Sequence, residues 1–250
     1  MSRQPTGPPP PPVVARVRIR YAKRGRLRFS SHRDFARAFE RALRRAAVPM
    51  AYSAGFSPHP KISYVGAAPT GAASEAEYLE IGLAAAVEAE PLRLALDAAL
   101  PVGLDVLEVV PAGPGSLAER IEASTWRIEL PGIDPERADA AVTVFLAQEH
   151  VTVERLTKTG RRELDARAAV VGLRVSADPD TSGRAILELV VRQVTPAVRP
   201  EDVLTALRAV GGLAPADTVA PAIATRLAQG PLSDDGSVGD PLAVDRVSPS

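Results

Sequence analysis

Cysteine is missing from all 250 residues. Its absence removes disulfide frameworks, zinc–thiolate sites and thiolate-held iron–sulfur clusters from the chemistry open to the chain. Long apolar runs are missing as well: none approaches the roughly 18 residues that span a bilayer. The opening residues, MSRQPTGPPPPPVV, carry a proline tract where a signal peptide would carry its apolar segment. The expectation is a cytoplasmic protein without membrane contact. Nucleotide fingerprints are also wanting, because the glycine-rich passages at 112–115 and 211–212 lack the strand and helix context of a GxGxxG or P-loop motif. No GxSxG serine motif occurs.

What is present is unevenly spread. The net charge is zero, yet residues 14–64 hold thirteen Lys or Arg against two acids, Asp34 and Glu40, a net +11, while residues 65–250 carry −12. Eight of the ten aromatic residues, and two of the three histidines, fall in the first 80 residues. One region is built to meet an anion.

Residues 13–23 alternate with period two, Val17, Ile19 and Tyr21 on one face and Arg16, Arg18 and Arg20 on the other. That pattern predicts a half-buried strand with a cationic outer face. A helix is expected from Ser31, which can cap it with Asp34 three residues on, to about Ala47, before Pro49 prevents continuation. Strands around 50–53, 61–65 and 76–83, a helix over 89–99 and a strand over 104–110 complete the order β-α-β-β-α-β. The order then repeats after the Gly/Pro break at 111–120. The fold class expected is therefore α+β, with two tandem ferredoxin-like lobes and disordered tails. The divisions are a Pro-rich tail (1–12), a basic first lobe (13–111), a linker (112–122), a second lobe (123–229) and a tail with little to bury (230–250).

The first lobe holds the candidate chemistry. Its helix carries a guanidinium ladder, Arg33, Arg37, Arg41 and Arg45, with Arg44 beside it. Such a row can be no more than a solvated face. Together with Arg18, Arg20, the turn residues Arg26 and Arg28, and Lys61, it points to binding of a polyanion such as RNA. His32 stands at the helix start, where backbone amides favour an anion. His59 is held between Pro58 and Pro60, two residues of fixed φ. Were His32, His59 and Lys61 to converge, metal-free cleavage of a ribose phosphate would be open to them. Capping by His32 and bracing of the loop by His59 are the plainer roles. No metal site and no cofactor is expected.

Residues 25–64 (GRLRFSSHRDFARAFERALRRAAVPMAYSAGFSPHPKISY) and 71–83 (GAASEAEYLEIGL) together resemble the radical SAM-linked (radical SAM-associated) protein family, a DUF2344-like domain of unknown function. The positions that match its motif include Arg28, Ser31, His32, Asp34, Glu40, Arg41, Arg44, Tyr52, Ser53, Gly55, Phe56, Pro58, His59, Pro60, Lys61, Glu77 and Tyr78. Arg33, Ser57 and the run 67–70 depart from it. The resemblance implies a companion of a radical SAM protein, whose cluster cysteines this chain lacks. The expected function is thus an accessory RNA-binding or substrate-presenting partner of such an enzyme, in RNA modification or processing. The alternatives are a metal-free RNA endonuclease using His32 and His59, and a pure protein-interaction module.

Overall fold

A computed structural model of the chain describes residues 11–157, 160–177, 184–213 and 221–247. Residues 1–10 of the expected Pro-rich tail and the last three of the C-terminal one lie outside the described residues. The protein is a mixed α+β chain that divides into two compact units, residues 1–119 with 241–250 and residues 120–240.

The first unit runs β1 (Ala15–Lys23), α1 (His32–Arg45), β2 (Ile62–Val65), β3 (Ala73–Leu83), α2 (Ala89–Ala99) and β4 (Leu104–Pro111). The strands lie in the order β4-β1-β3-β2, and every neighbouring pair is antiparallel. Val17, Ile19 and Tyr21 of β1 meet Phe35, Phe39 and Leu43 of α1 in one core. Tyr21 stacks on Phe35 with ring centroids 4.4 Å apart, and Phe39 follows at 5.8 Å. These aromatics are therefore core, and burying each contributes on the order of 2–3 kcal/mol.

The second unit runs β5 (Ala123–Pro131), α3 (Pro135–Leu146), β6 (Thr152–Thr157), β7 (Gly160–Asp165), α4 (Ala166–Ala169), β8 (Val170–Ala177), β9 (Arg184–Arg192), α5 (Pro200–Gly211) and β10 (Ile223–Gly230). Its sheet has the antiparallel order β10-β5-β9-β8. The hairpin β6–β7 and the single turn α4 are additions to the expected six-element order. Asp134 caps α3 by accepting the Glu136 amide, as its position before Pro135 predicts. Gly211 lets α5 close on α3, since a Cβ there would stand 2.7 Å from the Ala141 Cα. His150, just past the end of α3, bonds the Asp165 carboxylate at 2.6 Å. That bond, with the carboxylate's charge, raises the imidazole pKa above its ordinary value.

The C-terminal expectation is corrected. The composition of residues 230–250 predicts a tail with little to bury, yet Leu242 and Asp245 are buried and α6 (Ala243–Val247) packs against β4 of the first unit. Leu242 and Asp245 are too few to register as a periodic element, and Asp245 finds its partners, Arg18 and Gly113, remote in sequence.

Candidate nucleic-acid interface

Ser31 caps α1 as its sequence position predicts. Its hydroxyl oxygen accepts the Asp34 amide at 3.2 Å and its proton goes to the Asp34 carboxylate at 2.6 Å. The hydroxyl bond leads the effects that hold the Asp34 carboxyl below its usual range, desolvation opposing, with Arg37 and Arg33 adding to it. His32, the first helical residue, is exposed and sets its ring edge-on against Tyr64 of β2 at 4.8 Å and 82°. Tyr64 also meets Phe35, so His32 rests on the rim of the core.

The segment 50–61 forms a tongue anchored at the end of β3. Met50 pairs with Leu83, and Tyr52 pairs with Pro60 across the tongue. Backbone bonds link Ala51 to Gly82 (2.8 Å), Gly82 to Lys61 (2.9 Å) and Lys61 to Ala51 (2.9 Å), closing a ring of three residues. Ser53 and His59 bind each other twice: the Ser53 amide donates to the His59 carbonyl, and the His59 amide to the Ser53 hydroxyl at 3.0 Å. Gly55, at φ 129°, makes the turn that few L residues adopt. The tip then presents Phe56, 71% exposed. The proline-framed histidine is thus fixed through its backbone, while its side chain is left to solvent.

His59 and Pro60 border two open clefts. One, of about 250 Å³, lies between α1 and the tongue and includes Glu40, Met50 and Tyr52. The other, of about 440 Å³, lies on the far side and includes Arg16, Lys61 and Glu80. His32 lines neither. Neither of these two clefts brings together the two histidines that sequence reasoning offered as a catalytic pair.

The expected cations fall into two groups. The cationic outer face of β1 is a correction: Arg18 is 1% exposed and meets no solvent. It stands opposite Glu80 in the β1–β3 register, bonding it at 3.0 Å, and its other end is clamped by both oxygens of Asp245 at 2.8 and 3.0 Å. Burial opposes its charge, but the bonds and charges of Asp245 and Glu80 outweigh it and raise its pKa further. Arg20 donates to the Glu75 carbonyl, Arg45 to the Ala99 carbonyl, and Arg44 lies 3.5 Å from Glu40. The second group is Arg26, Arg28, Arg33, Arg37, Arg41 and Lys61. Among the described residues none of these six has a carboxylate within 4 Å. The Arg28 guanidinium lies over the exposed Phe29 ring, 4.7 Å from its centroid. These six cations lie in the same unit as three exposed Phe and Tyr rings, Phe29, Tyr52 and Phe56.

A family model described as an uncharacterized protein conserved in bacteria, DUF2344, matches residues 16–200. The chain belongs to that family. The match runs from β1 to the first residue of α5, so the DUF2344 region includes the SHRD helix start and the tongue. No curated protein matches the sequence. Of the remaining motif residues in this DUF2344 chain, Glu77 and Tyr78 are buried in β3, and the Glu77 carboxylate accepts the Ala68 amide at 3.1 Å. Glu77 thereby braces the loop before β3, and Tyr78 stands between Arg20 of β1 and Val65 of β2 in the sheet. Among the described residues no group of three His, Asp or Glu side chains could hold a metal ion, and no helix is long and apolar enough to cross a membrane.

Tyr64 carries a pH prediction. Its hydroxyl is buried with no hydrogen-bond partner. Desolvation, aided by the Glu40 charge, pushes its pKa up from 10.0 to about 12. The unfolded chain therefore releases this proton first. The contribution to stability is complete below pH 10 and is lost as pH rises through about 12. An NMR titration of the Tyr64 ring should show its ionisation at the upper end of that window; a midpoint at the ordinary value would mean that water reaches the hydroxyl.

Proposed function

We propose that the first unit docks RNA and presents it to a radical SAM enzyme in the cytoplasm. The observation that carries this reading is the group of six exposed or half-exposed cations without a carboxylate partner, set with Phe29, Tyr52 and Phe56. A phosphate backbone supplies the missing anions and releases its counterions in doing so. Unpaired bases supply flat partners for the aromatics. The choice of a radical SAM protein as recipient rests on the motif resemblance, which includes both the SHRD helix start and the PHPK loop. The chain would supply substrate binding, and the partner the radical chemistry.

Both units are read as ferredoxin-like. The strand order last-first-third-second, antiparallel throughout, recurs in each once the β6–β7 hairpin is set aside. In the first unit α1 and the tongue border one cleft, which supports reading the docking surface there.

The test is the salt dependence of RNA binding by the full chain. Six phosphate contacts to a single strand give a slope of log K against log salt near −4, at about −0.7 per contact. Absent binding, or binding indifferent to salt, would remove RNA from the reading. A radical SAM protein that co-purifies after nuclease treatment would then place the basic surface in a protein interface.

A further inference from the structure

Phosphate docking leaves one side chain of α1 without a use. Of the helix's two acids, Asp34 serves the cap, but Glu40 stands on the cationic face itself. Arg33, Arg37 and Arg44 lie seven and three residues before it and four after, which puts all of them on one side of the helix. A carboxylate there repels the strand that the arginines attract. Its place in the smaller cleft gives it another task.

We propose that the cleft between α1 and the tongue accepts one unpaired guanine of the docked RNA, with Glu40 reading its Watson–Crick edge and Lys61 holding the adjoining phosphate across the Pro58–His59–Pro60 ridge. The proposal rests on the RNA-docking reading and names what that surface selects. At about 250 Å³ the cleft is smaller than the roughly 300–1,000 Å³ of sites for drug-sized ligands, and it suits a single flat ring system. Leu43, Val48 and Met50 give it apolar lining, and Tyr52, 38% exposed, offers a ring for stacking. Glu40 contributes two acceptor oxygens, and Arg44, 3.5 Å from one of them, leaves the other unshared. Two adjacent N–H donors, N1–H and N2–H, distinguish guanine. Adenine and cytosine offer one amino group each, and uracil flanks its single N–H with carbonyl oxygens that a carboxylate repels.

The larger cleft has the opposite character. Glu80 is its acid, but its oxygens face Arg16 at 3.3 Å and Arg18 at 3.0 Å. Lys61 and the exposed Ser63 hydroxyl therefore meet an anion beside a carboxylate whose charge two arginines already answer. A nucleotide carries its base and its phosphate on opposite sides of the sugar. The ridge, with an acid-lined cleft on one side and a cation-lined cleft on the other, repeats that arrangement.

The test uses the full chain and short fluorescent uridine-tract RNAs whose central base is G, A, C or U, compared by anisotropy at low salt. The RNA with central G should bind about tenfold tighter than the all-U strand. Glu40→Gln, an isosteric change at a solvent-facing position, should bring that ratio to near one. Tyr52→Ala should weaken every RNA, by about tenfold where one stacked base is lost. A wild-type protein that binds these RNAs with a steep salt dependence but no base preference overturns the guanine cleft and leaves docking standing. A preference that survives Glu40→Gln overturns the assignment of Glu40. Failure to bind any of the RNAs removes the docking reading, and the cleft proposal with it.

Discussion

Replacing Asp245 by alanine lowers the stability of the first unit by roughly 3 kcal/mol, the low end of the range for breaking a buried ion pair. The guanidinium of Arg18 has lost its water, and Asp245 meets it with both carboxylate oxygens while also accepting the Gly113 amide. Removing the acid leaves a buried cation with Glu80 as its remaining acidic partner. The pair itself is worth far less than its removal suggests, because both charges were desolvated to form it. The double variant Arg18→Met/Asp245→Leu, which removes both charges, should therefore recover most of the loss. Hydrogen exchange at the amides of β1 and β4 reads the effect in this unit alone. A fall under about 1 kcal/mol, the scale of a solvent-exposed pair, would mean that water reaches Arg18 once α6 is displaced.

Replacing Arg33, Arg37 and Arg41 together by alanine should weaken RNA binding by about 100-fold at low salt, taking on the order of 1 kcal/mol for each exposed charged contact. The slope of log K against log salt should flatten by about 2. Folding does not confound the comparison. The three side chains are exposed, and among the described residues none has a carboxylate within 4 Å. Like charges four apart strain the helix, and alanine is the best helix former, so the variant helix is at least as stable as the natural one. Circular dichroism checks that directly. Unchanged affinity would take the docking surface off α1 and make the row a solvated face.

Local chemistry was legible. Ser31 and Asp34 announced the start of α1, Pro49 its limit, and Asp134 with Pro135 the start of α3, because each of these signals acts within one helical turn. The alternation of β1 correctly placed Val17, Ile19 and Tyr21 in the core. The same alternation misled on its other face. Period two separates the two sides of a strand but cannot say what covers the second one. Arg18 is neutralised by residues 62 and 227 positions away, a pairing set by strand register and by the docking of α6. The candidate site divides in the same way. His59 and its prolines stood out in the sequence, whereas the tongue's anchorage on Gly82, the contact of His32 with Tyr64 and the place of Glu40 in a cleft are products of tertiary packing. Glu40 did carry one signal, as one of only two acids in a basic stretch of the chain.

The first unit is discontinuous in sequence. Its sheet and helices come from the opening 119 residues, yet the acid that neutralises Arg18 is residue 245. During synthesis the whole of the second unit leaves the ribosome before that acid does. Until then Arg18 has Glu80 and water to support its charge, and β1 reaches its final surroundings only when α6 arrives. The surface that would meet RNA shares its sheet with this last-made contact, and a chain stopped short of Asp245 leaves Glu80 alone to answer a cation inside that sheet.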